Sequence, residues 1–228
     1  MRPGYDESPL NAVPAVVWLL VLPIVALEVV FAAGQFGVAG GPAAIGWRLD
    51  ALQWTAFIPE VMRRMVATLQ FPPEQAMRLV TYLFVHGGFV HALFVAVFIL
   101  ALGKVVAESF GSLKFLAIFF LSGMLAAVVY GLLPWAEQPL IGGYPAVYGL
   151  IGAFTFLLWA RLGQMRESRL SAFRLIGMLL FFQLIFGMLF GARPDWQAEI
   201  IGFALGFALA FLMAPGGMAA VRARLRHR

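Results

Sequence analysis

The sequence predicts an all-α membrane protein, a bundle of six transmembrane helices with a long first loop lying in the interface. Three observations carry this expectation. Hydrophobic residues make up 62% of the chain and the mean hydropathy is +0.91, against about 45–50% apolar residues in soluble domains. Charged residues are only 12%, about half the usual share. The apolar residues gather into six runs that approach the roughly 20 residues a bilayer-spanning helix needs. A soluble globule of 25.0 kDa could not hide that much apolar surface, whereas a bilayer can.

The runs lie near residues 13–33, 84–102, 115–133, 145–160, 172–190 and 196–213. The fourth is short, so one of its ends is expected below the bilayer surface, shielded by other helices, because non-helical backbone at that depth needs protein or water around it. That is a place where a membrane-embedded site can be built. Residues 34–83 form a long connection too polar to span. It carries Trp47, Arg48, Trp54, Pro59 and the segment PEVMRRMVATLQFPP, which reads as one or two amphipathic helices in the interface. The mixed-charge, Pro-containing segment before the first run is unlike a cleavable signal peptide. No internal repeat is evident, and residues 1–228 read as a single membrane domain ending in a basic cytoplasmic tail, residues 215–228.

Alternating the spans puts eleven Lys and Arg on one side and five on the other. Cytoplasmic loops carry the excess of positive charge, so both termini are expected in the cytoplasm and the first loop outside, in a bacterial inner (cell) membrane. The net charge of +5 is accounted for by these flanking residues, and nucleic acid is not an expected partner. With no cysteine in the chain, disulfides, thiolate metal sites and a cysteine nucleophile are excluded. No cofactor is expected. The lipid bilayer is the expected partner, with either a transmembrane-helix client or a membrane-complex subunit beside it.

Charged residues inside spans cost roughly 2.5–3.5 kcal/mol each on insertion scales and are functional candidates by default. Glu28 sits midway along the first span, where a buried carboxyl that is neutral or paired is the plainer reading. His86 and His91 lie in HGGFVH, Tyr144 and Pro145 in IGGYPAVYGLIGA, and Glu199 in DWQAEIIGFALGF. Histidines five apart on one helix point about 140° away from each other, so no shared metal is expected. Gly149 and Gly152 on the fourth span, and Gly202 and Gly206 on the sixth, let backbones approach closely. These two helices are expected to pack together, bringing Tyr144 near Glu199.

Several of these segments resemble the rhomboid family of intramembrane serine proteases. MRLVTYLFVHGGFVHALFVAVFILALG resembles the family's second-helix pattern WR-L-x-T-x-x-F-x-H-G-G-x-x-H-x-x-x-N. FLAIFFLSGMLAAVVY is similar to the third helix, IGGYPAVYGLIGA to the fourth-helix motif G-A-S-G-A-x-x-G-L-x-G-A, and DWQAEIIGFALGF to the sixth-helix motif A-H-x-x-G-x-x-x-G. The resemblance covers about residues 71–214 and implies a six-helix bundle with both termini inside.

It also implies a degenerate site. The positions of the nucleophilic serine and the following glycine hold Tyr144 and Pro145. The general-base histidine position holds Glu199, and the oxyanion-hole asparagine position holds Val95. His86 and His91 match family histidines, His91 on the oxyanion side, and with Gly143 and Pro145 they are expected to line the site. Serine attack needs an adjacent base and donors for the developing charge. A phenol, a residue without an N–H and a valine supply none of these. The expected function is that of a rhomboid-like pseudoprotease binding transmembrane clients or partner subunits without cleaving them. Two alternatives stand beside it: an active rhomboid-type serine endopeptidase with an unusual site, and a structural subunit of a larger membrane complex.

Overall fold

The computed structural model describes residues 12–190 and 195–214. Arg2, Arg193 and the whole basic tail, residues 215–228, lie outside the described residues, so the topology expectation that leans on them stays with the sequence. Among the described residues every regular element is helical, and the only extended pairing is one antiparallel bridge between Phe57 and Leu140. Five helices are long and apolar enough to cross a membrane among the described residues.

Helix α1, Ala15–Gln35, opens the bundle. A 3-10 turn over Pro42–Gly46 and helices α2, Trp47–Thr55, and α3, Pro59–Thr68, follow, then two single-turn helices, α4, Pro73–Ala76, and α5, Arg78–Thr81. The long first loop is therefore largely helical. It packs back on the bundle by arginines that hydrogen-bond main-chain oxygens. Arg63 Nη1 donates to the carbonyls of Gly131, Leu133 and Ala136 at 2.9–3.2 Å, while inside the loop itself Arg78 Nη1 donates to Ala56 O at 2.8 Å. Each such charged bond satisfies carbonyls that a helix end or loop leaves without partners.

Helices α6, Phe89–Phe110, α7, Ser112–Leu132, and α8, Tyr144–Gln164, are the second to fourth spans. A second 3-10 turn, Arg169–Phe173, leads into α9, Arg174–Phe190, and α10, Trp196–Met213, closes the described chain. At 17 residues α9 is at the lower limit for a span; it corresponds to the fifth of the six apolar runs.

Two boundaries correct the sequence reading. The second helix begins at Phe89 rather than residue 84, because Gly88 adopts a fully extended backbone as its N-cap, and it runs past Lys104, whose long stem permits the charge to reach the interface. The fourth helix is not short. It has 21 residues; Arg161 and Gln164 in its last turn carry it beyond the end of the apolar run.

The seam between α8 and α10 is built from glycines. A Cβ on Gly202 would fall on the carbonyl oxygen of Pro145, one on Gly206 on that of Gly149, and one on Gly152 on that of Phe203. Backbone-to-backbone contact of this kind gains dispersion and weak Cα–H···O bonds where lipid offers no hydrophobic drive. Gly149 turns its own missing side chain toward α7, onto Ser122. The start of α7 meets the end of α10, where Lys114 Nζ donates to Met213 O at 2.9 Å. At the opposite end of the bundle, Trp135 Nε1 donates to Gln197 Oε1 at 3.1 Å.

Candidate functional site

The site lies where the segment ahead of α6 meets the segment ahead of α8. Gly142 N–H donates to Tyr82 O at 2.8 Å, and the Tyr82 hydroxyl donates to Gly123 O on α7 at 2.9 Å. These bonds lay Tyr82–Gly88 against Leu140–Gly143. Gly142 has φ +82° and is packed so that a Cβ would meet the rings of both His91 and His86. Only glycine combines that conformation with that closeness.

His86 is fully buried. Its Nε2 accepts the Gly143 N–H at 3.2 Å and its Nδ1 lies 3.2 Å from Phe84 O, which assigns the proton to Nδ1. Burial, reinforced by neighbouring His91, pushes the His86 pKa down to about 3. The ring is therefore neutral at pH 7 and its Nε2 is an acceptor, not a donor toward a developing oxyanion. The expectation that the two histidines diverge is overturned: His86 precedes the helix that carries His91, and their rings meet edge-on with centroids 4.9 Å apart. Among the described residues no group of three or more His, Cys, Asp or Glu is placed to hold a metal ion.

Tyr144 opens α8 directly after its N-cap, Gly143, and its ring stacks on His91 at 4.8 Å and 14°. Pro145 occupies the first turn, where its missing N–H costs nothing because the first helical N–H groups have no intrahelical acceptor. The same substitution removes one amide that could face an oxyanion. Val95, one turn after His91, is fully buried, and it packs against Gly143, where a Cβ would lie 3.0 Å from its Cγ1. The asparagine position is thus a dry apolar contact. Ser122 on α7 is fully buried and donates to Phe119 O at 3.2 Å.

Glu199 sits in the first turn of α10, and the Tyr148 hydroxyl hydrogen-bonds its carboxyl. Sequence reasoning missed Tyr148, although it stands four residues after Tyr144 and hence on the same helix face. It also missed the partner of Glu28. Arg48 forms a two-pronged ion pair with it, Nη1–Oε1 2.7 Å and Nη2–Oε2 2.8 Å, and Nη1 further donates to His86 O at 2.9 Å. The Arg48 guanidinium also lies 4.9 Å over the Phe31 ring. One arginine of the first loop thereby ties α1 to the histidine segment. Beside the site, a cleft of about 440 Å³ runs between Leu52, Ala56 and Ile58 of the first loop and Gln138, Pro139, Ile141 and Asp195.

The family model for the Rhomboid domain matches residues 73–216. The chain belongs to the rhomboid family. It is also 31% identical over 137 residues to Rhomboid-like protease 3 of Toxoplasma gondii, a match covering 58% of this chain and 50% of that protein. The chain therefore spans about half the length of the curated relative it matches. The rhomboid assignment fixes a multi-pass membrane protein of an intramembrane-protease family. Within that rhomboid scaffold, the residues gathered here are two contacting histidines, a stacked tyrosine, a proline, a buried valine and a tyrosine–glutamate pair. They form one closely packed layer at the start of α8.

Proposed function

We propose that this rhomboid is a pseudoprotease that holds transmembrane segments without cleaving them. The observation that carries this reading is the stacking of Tyr144 on His91 at the position where the family pattern has its serine. A phenol whose ring is packed against the neighbouring imidazole is poorly placed as a nucleophile, and acyl transfer needs an activated one. Pro145, Val95 and the acceptor state of His86 remove donors that a tetrahedral intermediate would need. Tyr148, hydrogen-bonded to Glu199, acts as a lock between α8 and α10, since a paired half-buried carboxyl is far cheaper than an orphan one. The cleft between the first loop and residues 138–141 supplies a surface on which a client's extended end can lie.

We further propose the bacterial inner membrane, with both termini in the cytoplasm, on the excess of cationic residues on that side. The name of the Toxoplasma relative favours a second reading, an active intramembrane endopeptidase using an unusual site. The test is a binding measurement in detergent micelles or nanodiscs. A donor-labelled single-pass peptide that ordinary rhomboids cut should show saturable energy transfer to the acceptor-labelled protein and be recovered whole by mass spectrometry. Absence of saturable transfer removes client binding, and recovery of fragments supports the second reading.

A further inference from the structure

At the end of α8 the chain carries RLGQMRESRLSAFR, four arginines against one glutamate in fourteen residues. Arg161, Arg166, Arg169 and Arg174 are all exposed. Among the described residues, Arg161, Arg166 and Arg174 make no ion pair. Only Arg169 is held, with its guanidinium 4.4 Å over the Trp159 ring. The 3-10 turn Arg169–Phe173 is anchored as well: Phe173 stacks on Phe207 of α10 with ring centroids 5.8 Å apart. The platform is therefore fixed while its other cations point outward.

Two further features distinguish this platform from ordinary flanking charge. First, the apolar side chains Met165 and Leu170, interleaved with the arginines, are themselves exposed, Leu170 to 80%. Second, Arg166 occupies a backbone position that normally goes to glycine. Glu167 N–H donates to Leu162 O at 2.9 Å and Arg166 N–H to Gly163 O at 3.4 Å, the paired bonds of a Schellman helix end, whose left-handed residue is most often glycine. Arg166 takes that conformation, φ +58°, at a steric cost any Cβ incurs. A residue kept at a strained position invites a role for its side chain.

We propose that this platform is a docking surface for anionic phospholipids. Arg161, Arg166 and Arg174 would bind headgroup phosphates, and Met165 and Leu170 would enter the acyl boundary between them. Lipid is the occupant that satisfies both chemistries at once. A free phosphate would leave the interleaved apolar residues in water, and α8, whose end carries them, is long and apolar enough to cross a membrane. The inference concerns the opposite end of α8 from the site and does not rest on the client-binding reading.

The experiment uses the whole protein in vesicles made of equal parts phosphatidylglycerol and phosphatidylcholine, extracted gently and weighed with its retained lipids by native mass spectrometry. The wild type should retain phosphatidylglycerol preferentially. The preference should weaken as salt rises from about 0.1 M to about 0.5 M, since the Debye length shortens. The variant R161Q/R166Q/R174Q, which leaves the Arg169–Trp159 anchor intact, should lose about a hundredfold of that preference, given about fivefold per arginine near an anionic surface. Arg166→Gly should raise thermal stability while lowering the preference by about fivefold, an opposition that a purely structural arginine would not produce. Equal retention of the two lipids by the wild type would overturn the proposal. So would an unchanged preference in a folded triple variant, or inorganic phosphate displacing the lipid at millimolar concentration.

Discussion

Replacing Arg48 by methionine strands Glu28 inside the first span. The structure sets the magnitude. Two charge-assisted bonds to the carboxyl, at 2.7 and 2.8 Å, are lost together with the 2.9 Å bond to His86 O. The Glu28 side chain is 9% exposed and that of Arg48 19%, so neither partner is readily rehydrated. Removing one member of a buried pair costs about 3–5 kcal/mol, most of it the penalty on the charge left behind. Removing both is often nearly neutral. Arg48→Met should therefore cost about 3–4 kcal/mol, at the lower end because Arg48 is partly screened by water. Arg48→Met with Glu28→Leu should cost markedly less than Arg48→Met alone. The assay is unfolding in mixed micelles of increasing SDS content, followed by tryptophan fluorescence, run as a double-mutant cycle. A coupling of about 2 kcal/mol or more is expected. Single-variant losses that add to the double-variant loss within about 0.5 kcal/mol would show that Arg48 and Glu28 are not coupled.

Three further outcomes follow from the geometry. Gly206→Val should cost about 1–3 kcal/mol or more by overpacking, read as a fall in melting temperature, because its Cβ would meet the Gly149 carbonyl; Gly177→Val, where nothing lies within 4 Å, is the control. The His86 pKa of about 3 lies below its unfolded value near 6.5, so the unfolded chain takes up the proton first as pH falls. Stability is full above pH 6.5 and should drop by about 1.4 kcal/mol per unit below it, toward pH 3, and His86→Asn should flatten that slope. Reporter fusions after Arg228 and near Trp54 should give opposite sidedness; the same side for both would contradict the topology proposal.

Much of the fold was legible because a bilayer imposes length and composition on each span. The sixth helix starts and stops where its apolar run does, and the glycines that seam α8 to α10 announce themselves by spacing. Boundaries failed where a local device overrode hydropathy. The extended Gly88 postponed the second helix to Phe89, and Arg161 hid the last turn of the fourth. In the site, the motif order found His86, His91, Gly143, Tyr144 and Glu199, but it treated His86 as helical and so separated rings that touch. Tyr148 was overlooked because the family pattern leaves its position open. Arg48 was overlooked because an ion pair twenty residues apart depends on how a loop folds back, and no periodicity encodes that.

Whether Tyr144 can serve where the family pattern has serine decides between the two readings. The direct measurement is turnover by the purified, unmodified protein in nanodiscs, with a transmembrane substrate of ordinary rhomboids and a fluorophosphonate probe in parallel. The substrate should stay intact and the probe should leave no label, while an active rhomboid in the same discs gives both product and label. Losing several members of a catalytic unit at once leaves little to measure, since the first loss already removes most of the rate. Robust cleavage by the unmodified protein, abolished by Glu199→Ala, would contradict the pseudoprotease reading.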